Sequence, residues 1–325
     1  MKVIIQIPCL NEEETLPETL AELPRELEGV DSVEWQVIND GSTDRTVDVA
    51  LENGVHHIVT MNGNQGLARA FMAGLAAAID RGADIIVNTD ADNQYNAADI
   101  PKLVAPILAG NADVVIGARP ISAIQHFSPI KRALQKLGSF VVRTLSGTTI
   151  HDAPSGFRAI SRDAALRLNV FSRYTYTLET IIQAGHSNLR IMDVPIRVNG
   201  PTRPSRLVKS IASYVRRSIL DLVATYLVYS PTRVFNAAGV FFLVPAGILS
   251  VRYLHFVWIG EGAGHIQSVI VAGALAVCGV FMFAIGIVAR LLGVNRRLLE
   301  EIRYLHRTSH GSGGGGKGRD GAGDG

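Results

Sequence analysis

The sequence predicts a doubly wound, mostly parallel α/β domain followed by a membrane-inserted helical segment. Three observations carry this. Short apolar runs alternate with helical stretches over the first part of the 325-residue chain, the pattern of a parallel sheet with helices on its faces. Several of these runs end in polar residues, at the strand ends where open α/β sheets bind ligands. Two long apolar runs follow, Phe235 to Trp258 and Val269 to Leu292, each near the roughly 20 residues a spanning helix needs.

The elements follow in order. Val3 to Pro8 reads as a strand, and Asn11 can cap a helix whose first turn holds Glu12, Glu13 and Glu14, a charge placement that suits the helix dipole. Trp35 to Ile38 is a second strand. Gly41 turns the chain after it, and Ser42 or Thr43 can cap the next helix. His57 to Met61 is a third strand, and Asn62-Gly63-Asn64-Gln65-Gly66 leads into an alanine-rich helix, Leu67 to Asp80. The run after Asp84 is a short buried strand ending in Asp90-Ala91-Asp92-Asn93-Gln94. Asp99 to Leu108 reads as helix, Asp113 to Gly117 as a strand ending at Arg119, and Phe127-Ser128-Pro129 opens a helix to about Leu145. Right-handed crossovers then gather Asn11, Glu12, Asp40, Gly66, Asp90, Asp92 and Arg119 on one sheet edge.

Composition narrows the function classes. A net charge of +2 provides no basic field for nucleic acid. Cys9 and Cys278 are the only cysteines and lie in different segments, which supports neither a disulfide framework nor a zinc site. Lys2 and the short run after it lack the apolar core of a signal peptide. A redox dinucleotide domain needs Gly-x-Gly-x-x-Gly after the first strand, where this chain reads Pro8-Cys9-Leu10-Asn11-Glu12.

Asp90 and Asp92, one residue apart at a strand end, suit a hard divalent cation, and Gln94 adds a neutral carbonyl oxygen. The alternative is a solvated acidic turn capping the next helix. Taken together, Ile7-Pro8-Cys9-Leu10-Asn11-Glu12-Glu13, Asn39-Asp40-Gly41-Ser42-Thr43-Asp44, Gly66-Leu67-Ala68 and Asp90-Ala91-Asp92-Asn93-Gln94 resemble the family 2 glycosyltransferases of GT-A fold over about residues 1–230. The resemblance is strongest to the dolichol-phosphate mannose synthase and polyprenyl-phosphate glycosyltransferase branch. It implies that Pro8, Asn11, Glu12 and Asp40 hold the nucleoside, and that Gly66 lets the backbone approach the donor. It also implies that Asp90 and Ala91 touch the nucleotide, and that Asp92 and Gln94, with Asp90, hold Mg2+ or Mn2+ on the diphosphate.

His151-Asp152-Ala153-Pro154-Ser155-Gly156-Phe157-Arg158 matches the family's Asp-x-x-Ser-Gly-Phe segment, and Arg119 and Arg132 correspond to arginines that grip an acceptor phosphate. The guanidinium fork matches phosphate oxygens. A lipid phosphate is already an anionic nucleophile and needs no general base, so Asp152 is expected to orient an arginine; a role as base is the alternative. Thr202-Arg203-Pro204-Ser205-Arg206 resembles the family's mobile basic loop over the donor, with Arg206 where lysine is usual.

From Leu207 the spacing predicts an amphipathic helix with Arg206, Lys209, Arg216 and Arg217 on its polar face. The two apolar spans should form a hairpin across Gly260 to His265, with Gly239 and Gly247 allowing close packing. Arg233 and Arg290, Arg296, Arg297, Arg303 and Arg307 flank one side, and only Arg252 lies near the other, which places both termini in the cytoplasm. The expected organisation is a catalytic domain over 1–205, a juxtamembrane helix over 206–232, a hairpin over 233–293, and a basic tail over 294–325 ending in a disordered glycine-rich segment.

The function expected from the resemblance is inverting transfer of a sugar from a GDP-mannose or UDP-glucose type donor to a dolichyl or undecaprenyl phosphate at the cell membrane. The alternatives are another membrane glycosyltransferase making a polysaccharide or glycolipid, and a non-catalytic nucleotide-binding scaffold. Nucleic acid is not expected as a partner, and the sequence leaves oligomeric state open.

Overall fold

A computed structural model describes residues 1–120, 129–170, 176–200 and 229–312, with a few positions between 216 and 227. The chain divides into two compact units, residues 1–219 with 301–325, and residues 220–300.

The first unit is built on a seven-stranded sheet. Its strands are β1 (Lys2–Cys9), β2 (Ser32–Asn39), β3 (His57–Thr60), β4 (Ile85–Asn88), β5 (Val114–Ala118), β6 (Arg158–Ser161) and β7 (Ile191–Pro195), in the spatial order β3-β2-β1-β4-β6-β5-β7. All neighbours pair in parallel except β6, which runs antiparallel to both β4 and β5. The near-continuous burial of Val3, Ile4, Ile5 and Ile7 and of Ile85, Ile86 and Val87 is what strands covered on both faces require.

Pro8 is tolerated in a central strand for a local reason. The β1–β4 register stops at Gln6↔Asn88, and the Thr89 amide donates to the Gln6 carbonyl. Alternate residues face the same neighbour, so Pro8 faces β4 beyond the last pair, where no donor is needed.

The helices around the sheet are α1 (Leu16–Glu22), α2 (Thr46–Glu52), α3 (Leu67–Asp80), α4 (Ile100–Leu108), α5 (Pro129–Ser146), α6 (Arg162–Arg167) and α7 (Thr177–His186). Helix α3 keeps its expected limits. The first two helices do not start where capping logic puts them. Asn11 and Ser42 are committed to joining two loops, and α1 and α2 begin after Thr15 and Arg45 without side-chain caps. Strand β6 has no counterpart in the sequence expectations.

The second unit contains α8 (Pro231–Trp258), and most of α9 (Ile266–Ser312) lies in it. Both α8 and the stretch 262–295 are long and apolar enough to cross a membrane. They pack antiparallel through small residues. A Cβ on Gly239 would lie 2.7 Å from the Phe283 ring, one on Gly279 would lie 2.6 Å from Leu243, and one on Gly286 would lie 3.2 Å from Phe235. A Cβ on Gly247 would meet nothing within 4 Å among the described residues, so this glycine is not required for the close approach, contrary to expectation. Facing outwards are large apolar side chains such as Phe241, 72% exposed, and Ile248, 63% exposed. Helix α9 continues through Ser312, so residues 294–312 are helical where a tail was expected. The amphipathic helix expected over 206–232, the basic loop with Arg203 and Arg206, and the glycine-rich end lie largely or wholly outside the described residues.

Candidate active site

The site sits at the carboxyl ends of β1, β2 and β4, beside β1, where the strand order reverses. Two loops are joined there. Asn11, with φ of 56°, donates its amide to Ser42 Oγ at 3.0 Å and accepts from the Thr43 amide at 2.8 Å. Asparagine accepts this left-handed backbone better than most residues. The Glu12 amide donates to Thr46 Oγ1 at 2.8 Å, and the Glu13 amide to Asp44 at 3.1 Å. Glu12 is buried and its carboxylate accepts from Thr15.

Asp40, buried at the end of β2, accepts backbone amides on both oxygens, from Gln65 at 2.7 Å and Gly66 at 2.9 Å. Gly66 has φ of 93°, a conformation that side chains resist, and the chain enters α3 directly after it. Asp40 therefore anchors the glycine turn, and its remaining lone pairs stay available to a ligand.

The turn after β4 carries the carboxylate pair. Burial, followed by the neighbouring Asp92, pushes the Asp90 carboxyl up to about 7. The Gln94 side-chain nitrogen donates to Asp92 at 2.8 Å, its backbone carbonyl accepts from the Asn199 amide, and its side-chain oxygen accepts no hydrogen bond among the described residues. Ala91 is buried and its carbonyl accepts from Thr19. The donors at this turn are two carboxylates and one amide oxygen. Among the described residues no group of three or more His, Cys, Asp or Glu could hold a metal. An all-oxygen, partial ligand set fits a hard cation that draws its other ligands from a diphosphate and water.

Arg119, just past β5, is clamped by Asp152 in a bidentate pair, Nε at 2.7 Å and Nη2 at 3.0 Å, with its backbone amide on the same carboxylate at 3.1 Å. Asp152 is 1% exposed. Burial acts to lower the Arg119 pKa, but Tyr95, Asp152 and Asp90 around it raise it above its ordinary value. Arg119 and Asp90 are thus electrostatic neighbours. The side chain of Arg132, on α5, lies outside the described set.

Several residues at this site went unread in the sequence. Asn88, Tyr95, Gly156 and Tyr176 form the floor beneath Asp90. Arg158 is fully buried and makes no salt bridge among the described residues, bonding instead to the carbonyls of Ser155 and Thr177 and to Thr180 Oγ1. One legible signal existed, since Gln6 and Asn88 are amides inside otherwise apolar strands.

A mostly parallel sheet with two loops joined at its switch point is the α/β architecture of the GT-A fold. Residues 4–168 match the Glycosyl transferase family 2, and the chain belongs to that family. An uncharacterised glycosyltransferase of Mycobacterium tuberculosis is 32% identical over 230 residues, 70% of this chain and 98% of the relative. The undecaprenyl-phosphate mannosyltransferase of Micrococcus luteus is 29% identical over 206 residues, 60% of this chain and 81% of the relative. Among solved structures, glucosyl-3-phosphoglycerate synthase from Mycobacterium tuberculosis, in complex with Mn2+, UDP and glucosyl-3-phosphoglycerate, superposes with a TM-score of 0.55 at 23% identity, covering 70% of this chain and 78% of that one. That likeness is one of fold.

Proposed function

We propose that this family 2 enzyme moves a sugar, with inversion, from a nucleotide-diphosphate donor of GDP-mannose or UDP-glucose type to a polyprenyl phosphate at the cytoplasmic face of the cell membrane. The observation that carries the reading is the Arg119 guanidinium held in a bidentate pair by the buried Asp152 carboxylate, with Arg119 and Asp90 acting on each other electrostatically. A cation locked next to the diphosphate site suits an acceptor that is itself an anion, and the guanidinium fork matches its phosphate oxygens. Such an acceptor attacks without losing a proton, so positioning rather than base catalysis is asked of the protein. Asp152, spent on Arg119, acts as an orienting residue. Arg132, Arg203 and Arg206 are assigned to the acceptor and donor phosphates on the family resemblance.

Asp92, Asp90 and the Gln94 carbonyl would hold Mg2+ or Mn2+, which when bound neutralises charge on the departing diphosphate. Pro8 near the end of β1 and the loops carrying Asn11, Glu12 and Asp40 form the nucleoside cradle. The mannosyltransferase relative named for undecaprenyl phosphate supports the acceptor class, and the two apolar helices support a substrate whose tail stays in the bilayer. The arginines flanking α8 and along α9 support a cytoplasmic placement of both termini.

The test is a donor panel with the purified full chain in nanodiscs containing undecaprenyl or dolichyl phosphate, with and without EDTA. Lipid-linked sugar should form, stop with EDTA and return with Mg2+ or Mn2+. Absence of lipid-linked product with every donor would refute the assignment.

A further inference from the structure

We infer that Tyr95, Tyr176 and Asn88 are positioning residues whose joint task is to hold the Gly156 peptide as the seat of the Asp90 carboxylate. The inference rests on the reading of Asp90 and Asp92 as the metal and diphosphate turn.

The seat is defined by space. A Cβ built on Gly156 would lie 3.2 and 3.3 Å from the two Asp90 carboxylate oxygens and 3.0 Å from the Tyr176 hydroxyl. The carboxylate therefore packs over the Gly156 Cα, and no side chain fits there without moving it.

The peptide beneath is held from both ends. Its N–H donates to the Tyr95 hydroxyl at 3.0 Å, and its carbonyl accepts from Asn88 Nδ2 at 3.0 Å and from the Tyr176 hydroxyl at 3.3 Å. Asn88 Nδ2 also reaches the Tyr176 hydroxyl at 2.9 Å, and Asn88 Oδ1 accepts from Gln6 Nε2 at 2.9 Å. Each tyrosine ring is fixed by stacking, Tyr176 on Phe71 with centroids 3.9 Å apart and Tyr95 on Phe157 at 5.1 Å. Gln6, Asn88, Tyr95 and Tyr176 are all buried.

Buried polar groups add little net stability and are costly when unpaired, as Gln6 Oε1 is among the described residues, but the paired groups around Gly156 fix one geometry there. Here two hydroxyls and an amide converge on a single glycine peptide. Asn88 stands two residues before Asp90 on the same chain, so the network ties the end of β4 to the surface on which Asp90 rests. Partners behind a metal-binding carboxylate commonly set its orientation, and their loss costs about 10–100-fold in metal affinity.

The experiment compares Tyr95→Phe, Tyr176→Phe and Gly156→Ala with the parent in the full chain. The phenylalanine variants remove a hydroxyl and keep the stack. Mn2+ binding is read from loss of the free-ion EPR signal in the presence of UDP or GDP without acceptor, alongside donor KM, kcat and Tm. The expected result is a roughly 10–100-fold weaker Mn2+ Kd with a parallel rise in donor KM, in proteins that melt within a few degrees of the parent. Folded variants that bind Mn2+ as tightly as the parent would overturn the inference, as would loss of fold in all three, which would assign the network to stability alone. A parent that binds no Mn2+ with either nucleotide would instead refute the underlying reading of the turn.

Discussion

Asp40 binds the protein before it binds anything else. Both carboxylate oxygens hold backbone amides of the 62–66 turn, and a hydrogen bond to a charged group contributes roughly 1.5–3 kcal/mol. In Asp40→Asn the amide nitrogen would face one of those N–H groups and open the turn. Donor affinity should fall by roughly 10–100-fold, measured by calorimetric titration with the nucleoside diphosphate. Asp152 makes a second case. Asp152→Asn loses the bidentate grip on Arg119, so the KM for lipid phosphate should rise by on the order of tenfold, about 1.4 kcal/mol. Donor KM should hold and the pH–rate profile should keep its shape. Loss of an ionising limb from that profile would mark Asp152 as a base. Asp40, Asp90, Asp92 and Gln94 were legible because each follows a strand within a few residues of a glycine or another carboxylate. Tyr176 was not, because its partner Asn88 is 88 positions away and only the fold brings them together.

At the scale of elements, the turn after β4 is fastened from outside. Asp99, fully buried at the start of α4, accepts the Arg197 amide at 2.6 Å and the Arg197 guanidinium at 2.8 Å, and pairs with Lys102. Burial works to raise its pKa, yet Arg197 and Lys102 bring it down to about 2. A carboxyl whose folded pKa is depressed stabilises above its unfolded value and loses that contribution as pH falls through the folded one. Asp99→Asn should therefore lower stability by about 2 kcal/mol at neutral pH, and the gap to the parent should close between about pH 4 and pH 2, followed by thermal melts in detergent. In the pair of apolar helices, Gly239→Leu and Gly279→Leu should each cost about 1–3 kcal/mol by overpacking, while Gly247→Leu should be near neutral because an added Cβ there meets nothing within 4 Å among the described residues. Melting temperatures of the three in one detergent decide this. The hydrophobic periods gave β1, β2, β3, β4, β5 and α3 to within three residues, but not β7. They could not give β6, a four-residue strand whose antiparallel direction depends on which strands it lies between. They also could not show that α9 runs past its apolar stretch to Ser312, because polar helix and polar tail share a composition.

On the scale of the whole molecule, one chain joins an α/β sheet of GT-A fold to two helices of membrane length. An enzyme confined to a bilayer meets a bilayer-confined acceptor at a high effective concentration, since partitioning replaces three-dimensional search. In the proposed reaction the acceptor's long tail would contribute mainly to where the phosphate is, while Arg119 and its neighbours would act on the phosphate itself. Each buried CH2 adds about 0.8 kcal/mol to partitioning, so a polyprenyl phosphate shortened enough to dissolve in water loses the shared membrane and keeps the reacting group. With the full chain in nanodiscs, such a short acceptor should show an apparent KM raised by at least about 100-fold, the equivalent of 2.7 kcal/mol, with kcat at saturation within a few-fold of the long one. The comparison is made at fixed donor, by initial rates of sugar transfer over a series of chain lengths. An equal KM for short and long acceptors would mean that the tail is not held in the bilayer during reaction. A kcat that falls with KM would mean that binding energy from the tail is used to reach the transition state, placing part of the recognition of the lipid inside the active site.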